Sequence, residues 1–66
     1  MPTDAERLDF LQRAAYNSRT GISLEWIPPA DGEPSGYRYM RHHRIDAVKP
    51  TVREAIDYAI RLGDGS

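Results

Sequence analysis

The sequence predicts a small α+β domain with the order helix–strand–strand–helix, a two-layer sandwich in which both helices lie on one face of an antiparallel hairpin. Three observations point there. Two segments carry apolar residues at helical spacing just behind a Thr-x-x-Glu start, Thr3 with Glu6 and Thr51 with Glu54. Between them lie two runs of strand-like composition separated by a stretch rich in proline and glycine. The third is length: 66 residues leave room for one domain, and such a chain buries only about 60% of the surface that its unfolded form exposes.

The first helix is predicted at about 4–18. Leu8, Leu11 and Ala15 recur at helical spacing and Phe10 and Ala14 widen the stripe, while Glu6, Asp9 and Arg13 fall opposite, with Asp9 and Arg13 an i,i+4 pair. Asn17-Ser18-Arg19-Thr20-Gly21 stops it. Ile22-Ser23-Leu24-Glu25-Trp26 alternates apolar with polar, the period of a half-buried strand, so a strand is expected over about 22–27 with Ile22, Leu24 and Trp26 inward. Pro28 and Pro29 cannot donate to a ladder and open a loop over 28–36. Tyr37-Arg38-Tyr39-Met40-Arg41-His42-His43 reads as the returning strand, about 37–44.

The second helix is expected at about 52–62, behind Pro50 and the Thr51 cap. Val52, Ala55, Ile56, Ala59 and Ile60 make its buried stripe; Arg53, Asp57 and Arg61 would pair along its outer face. Gly63 ends it and 63–66 reads as a frayed tail. The expected core is Leu8, Leu11, Ala15, Ile22, Leu24, Trp26, Val52, Ile56, Ala59 and Ile60, with the second sheet face left to water or a partner.

Composition narrows the function classes. With no cysteine, disulfides and zinc–thiolate staples are excluded, and a reducing, cytoplasmic setting is the expectation. No apolar run approaches the roughly 18 residues that span a bilayer, so no membrane partner is expected. The net charge of −1 hides an uneven distribution: residues 1–36 sum to −3, residues 37–50 to +3 and residues 51–66 to −1.

That basic stretch contains the candidate contact residues Tyr37, Arg38, Tyr39, Arg41, His43 and Arg44. Period two places Tyr37, Tyr39, Arg41 and His43 on one face and Arg38, Met40, His42 and Arg44 on the other. If the tyrosines face outward, flat rings for stacking and guanidinium groups for phosphate suit single-stranded nucleic acid. The plainer reading has Tyr37 and Tyr39 completing the core beside Trp26, and the arginines forming a solvated edge that discourages aggregation.

Other chemistry has less footing. His42 and His43, adjacent on a strand, point to opposite faces and cannot chelate one ion. The serines carry no nucleophile motif, and the glycines lack the spacing and lysine of a phosphate loop. No cofactor, metal or catalytic residue is expected, and the chain reads as a non-enzymatic binding module. A protein partner or a second copy acting through the hairpin is the first expectation, since a lone two-stranded sheet is marginal in water. Nucleic-acid contact through 37–44 is the second.

Two strands followed by a helix opening Arg53-Glu54-Ala55 resemble the small three-stranded DNA-binding domains of the integrase arm type, over half of the chain. A clear third strand is missing, and no functional residue is carried over. The size and acid–base mosaic also suit a phage or mobile-element accessory protein.

Overall fold

The computed structural model describes residues 1–17, 22–42 and 44–63. The order is helix α1 (Asp4–Asn17), strands β1 (Leu24–Ile27) and β2 (Gly36–Tyr39), two short 3₁₀ turns (Met40–His42 and Ile45–Ala47), and helix α2 (Val52–Arg61). The α+β architecture expected from the sequence is the one observed.

Both helices start as their sequences dictate. At α1 the Glu6 amide donates to the Thr3 hydroxyl (3.2 Å) and the Thr3 amide donates to the Glu6 carboxylate (3.0 Å), so both halves of the capping box form. Thr51, in extended backbone, accepts from the Glu54 amide at 3.2 Å and opens α2. The last part of the first helix expected from sequence, Ser18, lies outside the described residues, as does the tail from 64 on.

The strands pair antiparallel, Leu24 opposite Tyr39, Glu25 opposite Arg38, Trp26 opposite Tyr37 and Ile27 opposite Gly36. Both strands are shorter than expected. The returning one ends at Tyr39 because Met40–His42 turns into 3₁₀ helix, so the expected strand residues 40–42 leave the sheet. Within the proline-rich loop, Ala30 and Glu33 form an isolated bridge around Asp31-Gly32, with Gly32 at φ +77°. Positive φ at the third position is what a type II turn requires. Beyond β2 the chain returns, and Lys49 pairs with Tyr37 through two backbone bonds of 2.7 and 2.8 Å.

The core sits between the helices and the Leu24/Tyr39 face of the hairpin: Phe10, Tyr39, Ile56 and Ala59, flanked by Leu11, Ile22, Leu24 and Ile60. The Phe10 and Tyr39 rings meet at 6.0 Å, tilted by 49°, within the range that favours aromatic pairs. Four expected core residues are exposed instead: Leu8, Ala15, Trp26 and Val52. On α1 the buried line runs through Arg7, Phe10 and Ala14, rotated from the Leu8–Ala15 edge of the stripe.

Arg7 explains that rotation. It is 8% exposed and donates from Nε and Nη2 to both oxygens of Asp57 (2.8 and 2.9 Å) and from Nη1 to Asp4 (2.7 Å). Arg53 donates to both Asp4 oxygens in turn (2.9 and 3.0 Å). Arg53 and Asp57 of α2 thus bond across to α1. Because residues 4 and 7 meet residues 53 and 57 in the same order, α1 and α2 run side by side in the same sense.

Candidate functional site

The hairpin's hydrogen-bond parity decides what it offers a partner. Tyr37 spends its amide and carbonyl on Lys49, away from β1, whereas the Met40 amide donates to the Ser23 carbonyl (2.9 Å), toward β1. Alternation along antiparallel strands then turns the polar backbone of Ser23, Glu25 and Ile27 toward β2 and that of Leu24 and Trp26 outward. Among the described residues no segment pairs with that outer side of β1. The sheet therefore has one edge partly closed by Lys49 and one open edge.

Side chains alternate across the same strands. Leu24, Trp26, Tyr37 and Tyr39 share the helix-side face; Glu25, Ile27 and Arg38 share the other. Leu24 and Tyr39 lie under the helices, but Trp26 is two residues, about 7 Å, further along the strand. It is 57% exposed, separated from Pro28-Pro29 by Ile27 alone, and beside the open edge.

The six contact residues proposed from sequence do not form one surface. Tyr39 is 1% exposed, a core residue against Phe10, and Tyr37 is half-buried on the same face. Arg38 lies on the opposite face and donates to Glu25 at 2.7 Å, both side chains largely covered. Arg41 and Arg44 come after the strand has ended, and Arg44 makes a two-bond pair with Asp46 (3.0 and 2.8 Å). His43 lies outside the described residues.

The positive charge of 37–50 is largely answered inside the molecule. Glu25 meets Arg38, Asp46 meets Arg44, and the Lys49 ammonium sits 4.6 Å from the centre of the Tyr58 ring while donating to the Asp46 carbonyl. On the hairpin, Trp26 is the expected core residue found exposed: its alternation marks the correct face, and only the Pro28-Pro29 stop hints that the strand ends beyond the helices' cover.

Among the described residues, concave surfaces lie along α1, beside Met1, Lys49 and α2, and between the helices. One of about 340 Å³ runs between α1 and α2 over Leu8, Leu11, Val52 and Ile56, rimmed by the Arg53–Asp4 pair. Among the described residues no group of three or more His, Asp or Glu is arranged to hold a metal ion, and no helix is long and apolar enough to cross a membrane. Comparison with protein-family models, with curated proteins and with solved structures finds no match.

Proposed function

We propose that this chain is a non-enzymatic protein-binding module that takes up an extended segment along the outer edge of β1. The carrying observation is Trp26, 57% exposed on the helix-side face of an edge whose Leu24 and Trp26 backbone groups point outward. An added strand gains main-chain hydrogen bonds from those groups, and a large amphipathic ring beside them gives the side-chain anchor. A nucleic acid would find less on the same hairpin, because Tyr39 is buried and Arg38 and Arg44 already meet carboxylates.

Selection of short extended peptides from a displayed library, with a Trp26→Lys variant as the counter-target, tests the reading. The expected winners alternate apolar residues, shift the Leu24 and Trp26 amide signals in NMR spectra, and fail to bind the variant. Peptides that bind both proteins equally, or that shift helix signals alone, overturn it.

A further inference from the structure

We infer that the segment taken up along β1 is basic: apolar residues alternate where it faces Leu24 and Trp26, and lysine or arginine follows where it runs on past Pro28. This rests on the edge reading above and names the chemistry of its partner. The outward backbone groups of β1 fall on every second residue, Leu24, Trp26 and then Pro28. Pro28 has no N–H to give, so the two-sided ladder that a partner strand can build stops at Trp26. So short a ladder leaves much of the recognition to side chains, first the exposed indole and then the loop beyond it.

That loop presents negative charge. Residues 22–36 hold Glu25, Asp31 and Glu33 and no lysine, arginine or histidine. Glu25 is already bonded to Arg38 at 2.7 Å, so the case rests on the other two. Asp31 and Glu33 are exposed, and among the described residues neither carboxylate has a hydrogen bond or an ion pair. The Glu33 amide donates to the Ala30 carbonyl at 3.2 Å, which folds both acids around Gly32 and keeps the two charges on one turn. The basic stretch lies away from it: Lys49 stands on the far side of β2, at Tyr37, and Arg44 is taken by Asp46. Asp31 is five residues past Trp26. A strand advances about 3.3 Å per residue, so partner residues about four or five positions beyond the one facing Trp26 can reach the turn. A cation there meets two unanswered carboxylates, whereas an acidic segment meets like charge. The indole suits the same partner, because a tryptophan face attracts lysine and arginine as well as apolar chains. Lys49 over the Tyr58 ring, at 4.6 Å, is that contact inside the molecule.

The test is a selection from a displayed library of extended random peptides at about 0.01 M salt, where exposed charges act over about 30 Å. It is repeated on an Asp31→Lys, Glu33→Lys double variant. Winners on the unaltered protein are expected to carry lysine or arginine at one end of an apolar alternation and to shift the Leu24 and Trp26 amide signals. On the double variant they should bind about fivefold more weakly or worse, and about 1 M salt should erase the difference. Asp31→Asn with Glu33→Gln, which keeps side-chain size, should show the same loss in smaller measure and decides the matter if the reversal disturbs the loop. Winners that shift those amides but lack basic residues, or that bind the unaltered protein and both variants equally, overturn the inference and leave the edge reading standing. If no winner shifts the Leu24 and Trp26 amides, both readings fall.

Discussion

At the residue scale, Trp26 and Tyr39 part company: Tyr39 completes the core, as the plainer reading of its strand expects, while Trp26, expected beside it, does not. Both are on the helix-side face, but Tyr39 lies beneath Phe10 and Ile56 and Trp26 does not. Tyr39→Ala removes a wholly buried ring, so it is expected to lose about 3–5 kcal/mol, a large fraction of what so small a domain has. Trp26→Ala in dilute protein is expected to change stability by less than about 1 kcal/mol. Urea unfolding of the two variants checks the pair, and a larger loss at Trp26 would put the indole back in the core. Gly36 is the other residue with a special task. Its φ of +144° suits glycine, and a Cβ there would run into the Lys49 carbonyl, so the missing side chain is what lets Lys49 close the β2 edge. Gly32 also has positive φ but open space around it. Gly32→Ala should therefore lose only the backbone strain, about 1–2 kcal/mol, while Gly36→Ala loses more and speeds hydrogen exchange at the Tyr37 and Lys49 amides. Equal losses with unchanged exchange would count against this account of Gly36.

At the element scale, the helices are set by their caps, and here the sequence is easy to read. Thr51→Ala removes the acceptor of the Glu54 amide and is expected to lower stability by about 1 kcal/mol, as is Thr3→Ala. Unchanged urea midpoints at unchanged slope would contradict the assignment. Start signals, the alternation in 24–26 and the proline stop are local chemistry, so element order and pairing partners are legible. What local pattern cannot give is which edge of a broad apolar stripe turns inward. On α1 the choice between Leu8 and the Phe10–Ala14 line is made by Arg7, whose guanidinium is worth burying only because Asp57, fifty residues away, accepts two bonds from it. The contact strand fails for a similar reason. Period two correctly groups Tyr37 with Tyr39, but the 3₁₀ turn at Met40 takes Arg41 out of the row, and no strong breaker marks that point. The open edge was legible only as a general property of hairpins, since which edge is closed depends on Lys49 meeting Gly36.

At the scale of the whole molecule, the chain Arg53–Asp4–Arg7–Asp57 fastens the start of the protein to its last helix. Two bonds from Arg53, then one from Arg7, hold the Asp4 carboxyl down at about 2 from its ordinary 3.8, and Arg7 lowers Asp57 as well. A carboxyl that titrates lower in the folded state than in the unfolded one stabilises the fold above its unfolded value, and the contribution drains away as pH falls through the folded value. Stability is therefore expected to hold from neutral pH to about 4 and then to fall steeply toward about 2. The two halves of the network should differ. Arg53 and Asp4 are exposed at 68% and 59%, so water and salt screen them, whereas Arg7 and Asp57 are mostly covered, at 10% and 13%. Asp57→Asn leaves the Arg7 guanidinium covered with half its support gone, so it should destabilise far more than Arg53→Ala, and 1 M salt should not equalise them, since even a Debye length of about 3 Å screens a covered pair poorly. Asp4→Asn should flatten the acid limb of the pH profile without abolishing it, because Asp57 still titrates. Urea midpoints of the three variants across pH, at low and high salt, supply the measurement. An acid limb unchanged by both aspartate substitutions would mean that other carboxylates govern acid unfolding and that the helix-to-helix clamp contributes little.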